Sequence, residues 1–118
     1  MDKVYEISLL MDFYGQLLTD RQYEILDLHF NNDYTLTEIA EQLNISRQAV
    51  YDNEKRGSAI LNEYESKLGL LSKFLQQKQK AEQVQKLLEK LEFDGLGPHN
   101  RKVVEDVMRE VAELVNSI

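Results

Sequence analysis

Apolar residues recur every three or four positions along most of the chain, and that rhythm predicts helices separated by short polar breaks. Ile7, Leu10, Met11, Tyr14, Leu17 and Leu18 fall on one face of a first helix, expected from about Val4 to Leu18. Thr19 and Gln22 form a capping box that opens a second helix carrying Ile25, Leu26, Leu28 and Phe30. Asn31-Asn32-Asp33 should end it.

The next stretch, Tyr34 to Gly57, has a sharper signature. Ile39, Ala40 and Leu43 give a short helix a narrow apolar face, and Thr35 with Glu38 forms a second capping box. Ala40 puts a small side chain where another helix can cross closely. Asn44 suits the left-handed residue of a tight turn, and Ile45 is placed to plug the angle between two helices. Ser46 is a good N-cap for the following helix. In that helix Val50 points to the core, whereas Arg47, Gln48 and Tyr51 project outward. This is the pattern of a helix-turn-helix, whose second helix presents its N-terminal residues to base edges in the major groove.

That second helix is expected to run past Gly57, because Ile60, Leu61, Tyr64, Leu68, Leu71 and Leu75 keep the helical spacing. Leu61–Leu68–Leu75 and Tyr64–Leu71 are seven-residue steps, a short heptad-like stripe. Unbroken from Ser46 to Leu75, the helix would be about 45 Å long. Residues 73–90 then carry five Lys against two Glu. A solvated face is the ordinary reading of such a run, and contact with a nucleic-acid backbone the alternative. Ala81, Val84, Leu87, Leu88 and Leu91 continue the apolar spacing. Phe93–Asn100, FDGLGPHN, breaks the chain with two turn dipeptides. A last helix is expected from an Asn100 N-cap to Ile118, with Val104, Val107, Met108, Val111, Leu114, Val115 and Ile118 on its apolar face. The stripes exceed what one small helical domain hides, so a homodimer is expected in addition to packing within the chain. The expected organisation is a helix-turn-helix domain over residues 1–75 and a C-terminal helical extension over 76–118, all of it α-helical.

Charge complicates the nucleic-acid reading. The net charge is −7, and residues 1–57 hold five basic and eleven acidic side chains. Lys and Arg supply most non-specific affinity for DNA, so this balance opposes approach to a polyanion. On the second helix of the motif, Arg47, Lys55 and Arg56 stand against Asp52 and Glu54.

Conventional site chemistry finds little to work with. There is no Cys, hence no disulfide framework, thiolate metal site or Cys nucleophile. His29 and His99 are not at metal-ligand spacing, and they read as a boundary residue and a turn residue. No glycine-rich loop ends in Lys-Ser or Lys-Thr. An enzyme is not expected, nor a cofactor or metal. No apolar run nears the roughly 20 residues of a membrane span, and MDKVYEISLL lacks the layout of a signal peptide. A cytoplasmic protein without membrane insertion is expected.

The segment SRQAVYDNEKR (residues 46–56), LTEIAEQLNI before it and FYGQLLTDRQYEILDLHFNNDYTL nearer the N-terminus resemble the YlxM family. These are helix-turn-helix proteins of Gram-positive bacteria and their relatives. The likeness covers roughly residues 5–75, with Phe13-Tyr14, Leu17-Leu18-Thr19, Arg21-Gln22 and Asp33-Tyr34 as characteristic pieces. Position 54 departs from the pattern: an apolar residue is expected there, and this chain has Glu54. The resemblance implies an all-α fold similar to the fourth region of sigma factors, which binds promoter DNA. It also implies a link to the signal recognition particle, beside whose genes the family's genes typically lie. Carried over by position, Arg47, Gln48, Tyr51, Asp52, Lys55 and Arg56 would form the nucleic-acid face. The expected partner is DNA. The alternative is an accessory protein of the particle that binds its protein or RNA instead.

Overall fold

Polar side chains fix where the helices begin. In the computed structural model, which describes residues 2–117, Asp2 accepts the Val4 N–H at 2.9 Å and starts α1 (Lys3–Tyr14). Both arms of the Thr19/Gln22 capping box are made, opening α2 (Asp20–Leu26). Thr35 and Glu38 do the same for α3 (Leu36–Leu43). Ser46 Oγ accepts the Ala49 N–H at 3.0 Å at the head of α4 (Arg47–Leu68). Two further helices follow, α5 (Leu70–Glu89) and α6 (Pro98–Ser117). The fold is all-α, with no strand among the described residues.

Four expectations need correction. The first helix stops at Tyr14 and tightens into a 3₁₀ turn, Gly15–Leu17. Its narrower winding turns Leu17 outward, 52% exposed, while Leu18 is buried. The second helix ends at Asn31-Asn32-Asp33 as expected, but its last part is not α-helical: it widens into a π turn, Asp27–Asn31. There the Asn31 amide donates to Asp27 Oδ1 at 2.8 Å, and the Asn32 amide donates to the Asp27 carbonyl at 3.0 Å.

The third correction is larger. No continuous helix runs from Ser46 to Leu75. Gly69 takes a left-handed conformation (φ 63°) that ends α4, and α5 starts at once. Two N–H groups that an unbroken helix would direct one turn back are instead captured by side chains. Tyr14 Oη accepts from Leu70 at 3.1 Å, and Glu65 Oε1 accepts from Leu71 at 3.0 Å. The heptad-like stripe therefore serves the interior: Leu61 and Leu71 are buried, and Tyr64 stacks on Tyr14 with ring centroids 6.0 Å apart. Leu68, 57% exposed, is left outside. Lastly, α6 begins at Pro98, and Asn100 lies within its first turn instead of capping it. Proline's fixed φ suits a first helical position, where no N–H is needed.

Two compact units result, one ending at Leu71 and the other beginning at Ser72. In the first, α4 packs against α1, α2 and α3. Ile25, Ile39, Ala40 and Val50 form a buried cluster, with Leu28, Tyr34, Leu36, Leu43 and Ile45 packed around it. At Gly57 the α2–α4 approach is so close that a Cβ would lie 2.8 Å from Leu26 Cδ1. The second unit is different. Among its described residues Ala81 is the buried apolar one, while Val84, Leu87, Leu91, Val103, Val107 and Leu114 are exposed. Ile118, expected on the last apolar face, lies outside the described residues. No described helix is long and apolar enough to cross a membrane.

Candidate nucleic-acid interface

The turn between α3 and α4 is built as the sequence predicts. Asn44 is left-handed (φ 55°, ψ 47°), and its N–H and that of Ile45 both return to the Ala40 carbonyl. Ile45 is half-buried against the core cluster. Ala40 and Val50, on either side of the turn, are both buried. The small side chain, the left-handed residue and the apolar plug together set α4 across α3.

The six expected site residues come together on the exposed side of α4. They form two adjacent rows at four-residue spacing, Arg47–Tyr51–Lys55 and Gln48–Asp52–Arg56. The rows are tied internally. Gln48 Nε2 donates to Asp52 Oδ1 at 3.0 Å, and Lys55 Nζ sits 5.5 Å from the Tyr51 ring centroid. Tyr51 is 42% exposed, a flat aromatic face open to solvent. Arg47 and Arg56 are exposed as well. The first turn of α4 has no acidic residue, so its free N–H groups add positive potential beside Arg47.

Glu54 lies elsewhere. It occupies the inward row Val50–Glu54–Gly57–Leu61, and its side chain is only 19% exposed. Its Oε1 lies 3.7 Å from His29 Nε2, and its Oε2 is buried without a hydrogen-bond partner among the described residues. His29 Nδ1 is 2.7 Å from the Tyr34 carbonyl, which can only accept, so Nδ1 carries a proton. A neutral ring then turns a lone pair toward Glu54, whereas an imidazolium turns an N–H. The pairing ties the π turn after α2 to α4. Sequence reasoning missed this contact, although the four- and three-residue steps through Val50, Glu54, Gly57 and Leu61 were there to find. The consequence is electrostatic: three cations face solvent against one carboxylate, Asp52.

Other charges near the motif are acidic. Glu38 is held by the Thr35 backbone N–H and then by the Thr35 hydroxyl, which lower its pKa, and Glu41 is exposed on the same helix. His99 is exposed. Among the described residues there is no group of three or more His, Asp or Glu placed to hold a metal ion.

This turn geometry and the helices around it define a helix-turn-helix protein. The chain belongs to the family UPF0122, described as "Putative helix-turn-helix protein, YlxM / p13 like", whose model matches residues 1–95. A UPF0122 protein of Acetivibrio thermocellus is 56% identical over 117 residues, covering 99% of this chain and 100% of the relative. One from Thermoanaerobacter sp. is 43% identical over 108 residues, 92% of each chain. A third, from Limosilactobacillus reuteri, is 46% identical over 86 residues, 73% of this chain and 76% of the relative.

Proposed function

We propose that the protein is a cytoplasmic, dimeric regulator that binds DNA through the exposed rows of α4. The observation that carries this reading is the inward turn of Glu54, which leaves Arg47, Lys55 and Arg56 facing solvent with Asp52 alone against them. Asp52 has its own use. By accepting one N–H of Gln48 it orients the amide and leaves the other N–H and Oε1 available. Those are the groups a bidentate contact to an adenine edge needs. Arg47, beside the positive end of the helix, suits a guanine edge or a phosphate. Lys55 and Arg56, further along, suit phosphates and set register. Tyr51 offers an apolar surface for a thymine methyl. Nothing in this reading calls for catalysis or a cofactor.

A second reading is favoured by the acidic balance, including Glu38 and Glu41 on the helix that would cross the DNA backbone. In it the chain is an accessory protein of the signal recognition particle, touching its protein or its RNA, with the Lys73–Lys90 run as the RNA surface.

Selection from a random duplex pool with the full chain separates the two. Enrichment of one sequence is expected. A pool that stays random, together with binding to the particle's RNA, overturns the DNA reading in favour of the second.

A further inference from the structure

The unit from Ser72 onward cannot finish its own core. It consists of α5 and α6 joined by the 90–97 connection, and α6 runs back so that Leu114 faces Gln77, Lys80, Ala81 and Val84 across a shallow groove of about 340 Å³. Two helices side by side bury one seam and leave their outer faces wet; bundles close with further helices. Here the face beside that seam, onto which the groove opens, is apolar. On α5, Lys73, Lys80, Val84 and Leu87 follow one another at steps of seven, four and three, a single helical stripe, and Leu91, just past the helix end, continues the spacing. On α6 the equivalent stripe is Val103, Val107, Glu110 and Leu114. The six apolar members of these stripes are all more than a third exposed.

The charges within the stripes are opposite. α5 carries four Lys and two Glu; α6 carries three Arg or Lys against four Asp or Glu. Lys80 sits inside the α5 stripe and Glu110 inside the α6 stripe. Among the described residues neither side chain forms an ion pair within the chain. A surface that is basic along one edge and acidic along the other is complementary to its own copy turned by a two-fold axis.

We propose that a second copy of this chain covers the α5–α6 hairpin in an isologous dimer, with α5 of each copy laid against α6 of the other in a four-helix bundle. Lys80 of each copy then meets Glu110 of its partner, and a large apolar side chain of the partner fills the groove over Ala81. The dimensions suit this. Helices of 20 residues are about 30 Å long, and two helix diameters are about 20 Å wide. The resulting footprint of roughly 600 Å² per copy approaches the ~800 Å² per partner of a stable interface. This inference deepens the dimeric part of the proposed function and is independent of which nucleic acid or particle the protein serves.

The test is sedimentation velocity of the full chain across a micromolar dilution series, with helicity checked by circular dichroism. The parent is expected to be a dimer. Lys80→Glu and Glu110→Lys, each reversing two contacts per dimer, should each raise the dimer dissociation constant about tenfold. An equimolar mixture of the two variants should regain parental affinity, because the heterodimer restores both pairs. Leu87→Asp should give a folded monomer. A parent that is monomeric throughout, or that associates only with another protein or with RNA, overturns the proposal. So does a dimer unmoved by both Leu87→Asp and Lys80→Glu, or a variant mixture no tighter than the variants alone. Sedimentation reads assembly only, so its failure is distinct from failure to select a duplex.

Discussion

The Tyr14 hydroxyl donates to Glu65 Oε1 across 2.8 Å, joining the end of α1 to the last turns of α4. The same oxygen of Tyr14 accepts from Leu70, so one side chain both buttresses α4 and caps α5. Burial raises the Tyr14 pKa, as does the neighbouring carboxylate, which keeps the phenol protonated and able to donate.

Removing that hydroxyl should be costly for its size. Tyr14→Phe leaves the Leu70 N–H unpartnered and is expected to lower stability by about 1–2 kcal/mol in urea unfolding at neutral pH. Exchange of the Leu70 amide should accelerate with it. The sign on the alkaline side follows from the raised pKa: Tyr14's contribution is complete below its ordinary value of 10.0 and is lost as pH rises through the folded-state value. The gap between parent and variant should therefore close in strong alkali.

The beginnings of α2, α3 and α4 were legible in the sequence because caps are local. Thr19/Gln22, Thr35/Glu38, Asn44 and Ser46 each act within three or four residues, and each does what its type allows. The break at Gly69 was not legible in the same way. Helical spacing runs straight through it, and the groups that fix it include Tyr14, 56 residues from Leu70. The inward turn of Glu54 was hidden differently. A carboxylate on an inward row reads as a fault until His29 is found opposite it, and that pairing depends on the π turn after α2. Of the candidate interface, the residues on the exposed rows were readable, whereas the Gln48–Asp52 and Tyr51–Lys55 couplings that organise them needed the structure.

Gly57 gives a prediction opposite to helix propensity. An alanine in mid-helix ordinarily gains up to about 1 kcal/mol over glycine. At position 57, however, its Cβ would lie 2.8 Å from Leu26 Cδ1, and Leu26 is fully buried, so the packing around it must shift. Gly57→Ala should destabilise by about 1–3 kcal/mol. Gly97→Ala, with open space around it, is the control and should be close to neutral in the same unfolding assay.

Glu54 should be a site where stability can be raised. Its Oε2 is buried without a hydrogen bond among the described residues, and a long contact to His29 offsets little of that cost. Glu54→Met, with similar volume, is expected to raise stability by about 1–2 kcal/mol. A fall in the unfolding midpoint would show that the His29 contact outweighs the desolvation of the carboxylate.

The head of α3 should respond to acid. Thr35 lowers the Glu38 pKa, so the stabilisation exists above the ordinary value of 4.5 and is lost as pH falls through the lower folded-state value. Amide exchange at the α3 N-terminus should therefore rise relative to the rest of the helix below that pH. In Glu38→Gln, which keeps a hydrogen-bonding side chain but cannot titrate, the acid-dependent part should be absent.

Binding by Gln48→Ala and Lys55→Ala across a salt series, on the enriched duplex and on random duplex, tests the central claim most directly. Gln48→Ala is expected to cost about 1–3 kcal/mol on the enriched duplex and to relax preference at one base pair. Lys55→Ala should weaken binding to every sequence and reduce the salt slope by about one. For the parent, random duplex should bind no tighter than roughly 10⁻⁵ M at physiological salt, with affinity falling steeply as salt rises. Equal, sequence-independent losses from both substitutions, or tight random-duplex binding that survives high salt, would contradict the assignment of the α4 rows to DNA.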